Sequence, residues 1–333
     1  MLDLPVDLRS RLKDSAEIDS LTLDAIKEAR DGTKKLLFRL YDDSIIETVL
    51  IPSKGRNTLC ISSQVGCALN CQFCYTGKMG FKGHLNVAEI VDQVVITKRL
   101  FEKDENGDRA LINNVVMMGE GEPLHAVNQV LRAVNFIMLS NQGLDLSHNK
   151  ITISTSGLVP ELRRVIHETR VNIAVSLHAC NNEVRSWIMP INRKYPLEEL
   201  LNCLREEIPR REVRKSKVFF EYIMLKGIND SLKDAKDFLR LTSGIPCKLN
   251  LIRFNAHEGS EFECSDEETI FKFMDYLAGK NVTVTLRESR GNDEMAACGQ
   301  LGSLGSAVSP RMRVPDKFAH VVKREEKTKL ATA

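Results

Sequence analysis

Short apolar runs alternate with longer amphipathic segments from residue 58 onward. Runs such as residues 115–118 are continuously apolar, as is typical of parallel strands buried on both faces. Helical spacing recurs between most of them. The segment over 87–100 follows Asn86, with Glu89 three residues later, which is the spacing of a capping box. The predicted strands cover residues 58–63, 112–119, 150–155, 171–177, 218–225, 248–254 and 282–287.

This alternation predicts stacked βαβ units, and therefore an α/β fold with a parallel sheet bent into a partial barrel. Polar motifs stand where the predicted strands end. Since active sites of such barrels gather at the carboxyl ends of the strands, these motifs are expected to meet at one rim. They are residues 67–74, 119–123, 154–157 and 176–178, together with Asn255.

The first 57 residues have a different pattern. A charged amphipathic segment over 8–17 predicts a helix, and residues 34–50, with Asp42-Asp43-Ser44 at the turn, predict a β-hairpin. The chain therefore divides into four predicted regions. They are a helical N-terminal region (1–33), a hairpin extension (34–57), the core (58–305) and a basic C-terminal tail (306–333).

Three cysteines follow the first core strand at CxxxCxxC spacing: Cys67, Cys71 and Cys74. Three thiolates in one loop can bind three irons of a 4Fe-4S cluster and leave the fourth iron open. The alternative is a zinc site, but closed zinc sites have four ligands, normally in two separated pairs. The nearest candidates for a fourth ligand are His84 and Cys60, and the spacing favours the cluster.

The glycine-rich motif at 119–123 and the histidine at 178 each allow two interpretations. Gly121 lets the backbone approach a ligand closely, and the Glu122 carboxylate is suited to an ammonium group. The alternative is a plain turn between strand and helix, and a third glycine needed for a dinucleotide site is missing. His178 is either a core histidine or a cofactor contact, and its place at a strand end favours the contact.

Two further cysteines stand apart from the loop. Cys60 lies in the first core strand, and Cys298 follows the last strand among alanines and glycine, which leave room for a substrate. Taken alone, each is typical of a buried structural cysteine.

Composition narrows the class of protein. The 333 residues are 43% apolar, enough for a substantial core, and no apolar run approaches membrane-spanning length. Nine cysteines without regular spacing indicate ligands, nucleophiles or core residues of a reducing compartment. A net charge of +2 leaves RNA binding to local basic clusters, which are otherwise ordinary solvated surface. One contains Arg210, Arg211, Arg214, Lys215 and Lys217, and the other Arg311, Arg313, Lys317, Lys323 and Arg324.

Six motifs in order carry a family resemblance. They are residues 58–67, 117–123, 154–157, 176–179, 190–195 and 296–301. The chain resembles the RlmN/Cfr family of radical S-adenosylmethionine (SAM) RNA methyltransferases, from about residue 34 to 305.

The resemblance implies a partial (β/α)6 barrel with a 4Fe-4S cluster on Cys67, Cys71 and Cys74. It implies two SAM molecules per turnover, and an adenine of large-subunit rRNA, in bacterial members also of certain tRNAs, as the target. It further implies a monomer with an electron donor such as flavodoxin or ferredoxin. The SAM contacts would be Gly121, Glu122, Ser154, Ser176, Leu177, His178 and Asn255.

The resemblance also assigns three catalytic residues. Cys298 would carry the methyl group, and a radical generated from a second SAM would activate it for addition to carbon-2 of adenine. Cys60 would release the product by forming a disulfide with Cys298, and Glu47 would accept the proton. By its local pattern alone, Glu47 is a solvated hairpin charge.

Departures from the family pattern leave alternatives. Of the usual N-terminal accessory helical domain, only the helix over 8–17 is expected, and Glu120 adds a charge where a neutral residue is common. Methylation at carbon-8, as in the Cfr branch, and RNA binding without catalysis stay open. Without an N-terminal presequence we expect a cytoplasmic protein, or an organellar one if a preceding segment is missing.

Overall fold

The computed structural model describes residues 5–101, 112–140, 143–211, 213, 216–302 and 309–322. Twelve strands are found in these ranges. They are β1 (Thr22–Glu28), β2 (Lys34–Arg39), β3 (Ile45–Ile51), β4 (Asn57–Cys60), β5 (Gln64–Gly66), β6 (Phe81–His84), β7 (Ile112–Met117), β8 (Ile151–Thr155), β9 (Asn172–Ser176), β10 (Val218–Met224), β11 (Cys247–Arg253) and β12 (Val284–Arg287).

Nine α-helices lie in the same described ranges. They are α1 (Val6–Ser15), α2 (Tyr75–Lys78), α3 (Val87–Phe101), α4 (Val127–Met138), α5 (Val159–Glu168), α6 (Asn182–Ile188), α7 (Leu197–Glu207), α8 (Leu232–Thr242) and α9 (Glu267–Ala278). The predicted capping box begins α3, because the Asn86 and Glu89 side chains each accept the other's backbone N–H, at 3.0 and 2.7 Å. None of the helices in the described ranges is long and apolar enough to cross a bilayer.

The main sheet has ten strands in the order β1-β2-β3-β4-β7-β8-β9-β10-β11-β12, and β5 pairs with β6 in a second, small sheet. From β4 to β12 every neighbouring pair is parallel, which confirms the predicted partial barrel. All seven predicted core strands form. They are one more than the six strands of the (β/α)6 barrel that the resemblance implies, and β12 is the additional strand.

The N-terminal strands extend the barrel sheet rather than forming a separate unit. The predicted hairpin is present as β2 and β3, and β3 pairs with β4 in antiparallel register. The sequence pattern predicts only helix in residues 1–33, yet β1 lies within them and pairs with β2. Most β1 side chains are exposed, so the strand lacks the buried apolar alternation by which a strand is recognised.

The hydrophobic core lies between the barrel strands and their covering helices. Strand residues such as Val115, Ile153 and Phe220 are fully or almost fully buried against helix residues such as Leu162 and Phe238. This packing fixes the helices on one face of the sheet. The loops at the carboxyl ends of the strands are left to form the walls of a site.

Candidate active site

A cavity lies at the carboxyl ends of the parallel strands, and the cysteine loop forms one of its walls. It has about 890 Å³ of space, counting space open to solvent. Motifs that follow separate strands therefore meet at one rim, as the sequence predicts. The predicted ligands that line this cavity are Cys67, Cys71, Cys74, Gly121, Glu122, Ser154, Ser176 and His178.

The start of the cysteine loop is fixed by close backbone packing. Gly66 has φ +69°, and a Cβ at this position would lie 2.0 Å from the carbonyl oxygen of Gly80. The next residue, Cys67, donates its backbone N–H to the same oxygen at 2.9 Å. Only glycine fits this approach, so Gly66 sets the position from which the loop begins.

The three thiols suit a cluster better than a single metal ion. In the described residues, no three His, Cys, Asp or Glu side chains form a group that could hold one ion. His84, a candidate fourth zinc ligand, instead hydrogen-bonds through Nδ1 to Gln64 Nε2 at 3.0 Å. Three thiols along one cavity wall fit a cluster, in which each thiolate binds a different iron.

The protein alone disfavours the thiolate form of these cysteines. Burial raises the pKa of Cys67 to about 12, and it also raises the pKa values of Cys71 and Cys74. A bound cation reverses this preference, because coordination deprotonates a thiol outright. The donor set therefore fits a group that brings positive charge, as the irons of a cluster do.

Glu122 is held rigidly at the cavity wall. One carboxylate oxygen accepts both the backbone N–H and the hydroxyl of Ser156 at 2.7 Å, and the other accepts Leu124 N–H at 3.1 Å. The oxygen that accepts the Leu124 N–H has a further lone pair that can accept a hydrogen bond from an ammonium group. The pinned carboxylate therefore suits the predicted amino-group contact.

His178 lines the cavity as a neutral ring. Burial lowers its pKa to about 3, and Nδ1 accepts the backbone N–H of Ile223 at 3.1 Å, which leaves the proton on Nε2. Two predicted SAM residues do not line this cavity. Leu177 is fully buried, whereas Asn255 lines a second cavity.

The second cavity holds both isolated cysteines. It has about 1260 Å³ of space, counting space open to solvent, and Cys60 and Cys298 both line it. Cys298 also lines the first cavity and so stands at the boundary between the two. The sheet register places Cys60 between Val49 and Val116, which give this cavity an apolar wall.

Both thiols are protonated at neutral pH. Burial raises the pKa of Cys60 to about 12, with a further rise from Cys298. Cys298 is exposed as a residue, but desolvation of its thiol at the cavity wall still raises its pKa to about 11. The guanidinium of Arg287, which lines both cavities, lowers both pKa values. Arg287 is thus placed to favour the thiolate that a nucleophilic Cys298 needs.

Comparison with known proteins agrees with this geometry. The model of the Radical SAM superfamily matches residues 61–239. The chain is 49% identical over 313 residues to the dual-specificity RNA methyltransferase RlmN of Pelobacter propionicus, covering 93% of this chain and 86% of that protein. The chain belongs to the RlmN/Cfr family of radical SAM RNA methyltransferases. A family member of this kind uses a 4Fe-4S cluster and SAM.

Two more relatives support the assignment to the RlmN/Cfr family. The dual-specificity RNA methyltransferase RlmN of Geobacter sulfurreducens is 48% identical over 311 residues, covering 93% of this chain and 82% of that protein. A solved structure of a radical SAM methyltransferase from Sphaerobacter thermophilus matches with a TM-score of 0.85 at 39% identity. The match covers 90% of this chain and 86% of that one.

Glu47, predicted from the RlmN/Cfr resemblance to accept a proton, is not a solvated hairpin charge. Its side chain is buried, pairs with Lys35 Nζ at 3.3 Å and accepts the Gly302 N–H at 3.1 Å. Burial raises its pKa and Lys35 lowers it. Glu47 is not among the residues that line either cavity, so the structure does not bring it to the two thiols.

The two basic clusters contribute less free charge than expected of an RNA-binding surface. Arg211 donates to the carbonyl oxygens of Ile166, Thr169 and Val171, at 3.2, 3.0 and 2.5 Å, and so stabilises the fold. Lys317 pairs with Glu183. The remaining described members of these clusters are Arg210, Lys217, Arg311 and Arg313, whereas Arg214, Lys215, Lys323 and Arg324 lie outside the described residues.

Sequence reasoning did not single out two residues near the family's site. Arg287 lines both cavities, and Arg185 is fully buried behind the first one. Arg287 ends the last predicted strand, and this position at the carboxyl end of a strand could have identified it as a residue of the site. Arg185 lies in a short helix next to Glu183 and Ser186, a pattern typical of a solvent-facing turn.

Proposed function

We propose that the chain methylates carbon-2 of an adenine in large-subunit rRNA, and of certain tRNAs, through an S-methylcysteine on Cys298. One observation carries the proposal. Cys298 borders both the cavity with the cysteine loop and the cavity that contains Cys60. A carrier thiol at this boundary can take a methyl group on one side and present it to a nucleobase on the other.

The chemistry of the target explains why a carrier is needed. Carbon-2 of adenine is an electron-poor amidine carbon, so it does not attack the sulfonium methyl of SAM directly. When bound, the cluster supplies an electron, and SAM supplies the methyl group and the radical chemistry, at two SAM per turnover. Cys298 acts as the nucleophile: its thiolate forms a sulfur–carbon bond as the sulfonium–methyl bond breaks.

Product release falls to Cys60. Once the methylene carbon is bonded to adenine, the Cys60 thiolate attacks the Cys298 sulfur and a disulfide forms. The sulfur–carbon bond breaks, and its electron pair passes to the carbon on adenine, which takes up a proton and becomes the methyl group. A thiol reductant must then restore both thiols. Glu47 is proposed as the acceptor of the ring proton, and its bond to Gly302 N–H links it to the chain segment that follows Cys298.

The second cavity suits a nucleobase taken out of its stack. Val116 and Leu301 supply apolar wall, and Arg56 and Arg290 lie at the same cavity, where they are placed to meet phosphate. Arg290 is paired with Glu288 at 3.0 Å, which RNA would have to displace.

The test combines product analysis with a trapped intermediate. Anaerobically reconstituted protein is incubated with SAM, reductant and protein-free rRNA, and the nucleosides are identified by mass spectrometry. We expect 2-methyladenosine; 8-methyladenosine would assign the Cfr reaction, and an intact cluster without SAM cleavage would leave RNA binding only.

Cys60→Ala is expected to leave RNA covalently bound to the protein, because the step that breaks the sulfur–carbon bond is lost. Cys180→Ala is the matched control, since Cys180 is also a buried free cysteine but lines neither cavity. Free turnover by Cys60→Ala would refute the role of Cys60.

The proposal extends to the oligomeric state, the compartment and the electron donor of the protein. We infer from the family that the protein acts as a monomer in the cytoplasm, with flavodoxin or ferredoxin as electron donor. Size-exclusion chromatography would test the monomer, reduction of the cluster by each donor would test the donor, and cell fractionation would test the compartment.

A further inference from the structure

Arg185 is the largest fully buried side chain of the described residues, and it is a cation. Its guanidinium donates to the carbonyl oxygens of Ser156, Ser176 and Leu177, at 2.7, 3.0 and 3.0 Å. The fourth bond, at 2.8 Å, is to the side-chain oxygen of Asn192. All four of these acceptors are neutral, so this positive charge is buried with no carboxylate partner among the described residues.

A charge of this kind is costly to bury unless an opposite charge compensates it. Desolvation lowers the pKa of Arg185 to about 10. Two of its acceptors, Ser156 and Ser176, line the same cavity as the three cysteines of the loop. The compensating anion is therefore to be sought on the side of the cysteine loop.

Helix α6, which carries Arg185, packs directly against that loop. Gln72 donates its backbone N–H to the carbonyl oxygen of Ile188, the last residue of α6, at 2.9 Å. Phe73 shares an apolar cluster with Val184 and Trp187, against which Cys71 and Cys74 also pack. Helix α6 is thus fixed against the cysteine loop by contacts on both elements.

The bonds of Arg185 also give the motif at 190–195 a structural role. Asn192 is almost fully buried and holds the guanidinium through Oδ1, while its amide donates to Asn182 and Ser186. The Asn192 side chain therefore fixes the orientation of Arg185.

A cluster on three thiolates has a net negative charge, which grows by one on reduction. A fixed positive charge nearby stabilises the reduced form more than the oxidised form, and net charge is one of the factors that set cluster potentials. We propose that Arg185 is a positioning residue that serves as the buried counter-charge of the cluster and raises its reduction potential. This inference rests on the cluster site proposed above.

The test is a reductive titration of the reconstituted protein, followed by electron paramagnetic resonance, without SAM. Arg185→Gln removes the charge, and Arg185→Lys keeps it while losing the fork of hydrogen bonds. At the wild-type midpoint we expect about tenfold fewer reduced clusters in Arg185→Gln, and nearly the wild-type fraction in Arg185→Lys.

Arg211→Gln is the matched control. Arg211 also donates to main-chain carbonyl oxygens, and burial lowers its pKa to about 10 as well, but none of its acceptors lines either cavity, whereas two acceptors of Arg185 line the first. Its replacement is expected to leave the midpoint unchanged.

Three results would overturn the proposal. Equal shifts in Arg185→Gln and Arg185→Lys would make the residue purely structural, and an equal shift in Arg211→Gln would make the effect non-local. An unchanged midpoint with weakened SAM binding in Arg185→Gln would make the SAM carboxylate its partner.

A second variant covers the case in which Arg185→Gln fails to load a cluster. Asn192→Asp places a carboxylate on Arg185 with little change in shape, so the midpoint is expected to fall in the same direction. Wild-type protein that loads no cluster would instead contradict the cluster site itself, which keeps the two failures distinguishable.

Discussion

Glu120 is a buried carboxylate whose removal should stabilise the protein in a pH-dependent way. Its side chain is 1% exposed, and its oxygens accept the backbone N–H groups of Glu47 and Gly66, at 3.0 and 3.4 Å. Desolvation, followed by the charge of Glu47, raises the pKa of Glu120 from the ordinary 4.5 to about 8. The perturbation is Glu120→Gln, which keeps the shape and removes the charge.

The sign follows from proton linkage. The folded chain binds the Glu120 proton more tightly than the unfolded chain does, so its stabilising effect is complete below pH 4.5 and is lost as the pH rises through about 8. At about 1.4 kcal/mol per pKa unit, the wild-type protein loses about 5 kcal/mol of its free energy of unfolding once the pH is well above 8. About 2 to 3 kcal/mol of this is lost between pH 5 and pH 7.

The assay is urea unfolding of reduced, cluster-free protein from pH 5 to pH 8, followed by fluorescence of Trp187. This is the single tryptophan of the chain and is buried against Phe318. We expect the free energy of unfolding of Glu120→Gln, relative to wild type, to grow by about 2 to 3 kcal/mol between pH 5 and pH 7. Glu199→Gln, on the exposed side of α7, is the control and should show no such trend. If the stability difference between Glu120→Gln and wild type stays constant or shrinks with pH, the pKa of Glu120 is not raised in the folded protein.

Two more predictions concern the cysteine loop and the carrier thiol. Gly66→Ala should strongly reduce iron content after reconstitution, because its Cβ would lie 2.0 Å from the Gly80 oxygen, whereas Gly83→Ala has open space and should load normally. Normal loading of Gly66→Ala would contradict the fixed loop. Alkylation of Cys298, followed by peptide mass spectrometry, should accelerate about tenfold per pH unit toward its pKa of about 11. Arg287→Met should slow it at each pH, and an equal rate would exclude Arg287 from thiolate stabilisation.

The barrel could be predicted from sequence because its strands are buried on both faces. A short, continuously apolar run such as 115–118 is typical of a buried parallel strand, and glycine and proline at 119–123 mark where that strand ends. Strand β1 lacks such a run, because a largely exposed edge strand needs little apolar surface.

The candidate site was only partly visible in the sequence. The thiol and glycine motifs are local, so their spacing reveals them. The burial of Glu47 depends on Lys35 and on a segment 255 residues away, and no local pattern encodes such a meeting. The same holds for Arg211, whose sequence neighbours are basic but whose bonding partners are carbonyl groups of another loop.

In the proposed reaction the methyl group passes from SAM to adenine through Cys298. The most direct measurement gives reconstituted protein SAM labelled in its methyl group, without RNA, and locates the label by peptide mass spectrometry. We expect label on Cys298 and its transfer to adenine when RNA and reductant are added. Methylation of RNA with no label passing through Cys298, or by Cys298→Ala protein, would contradict this route.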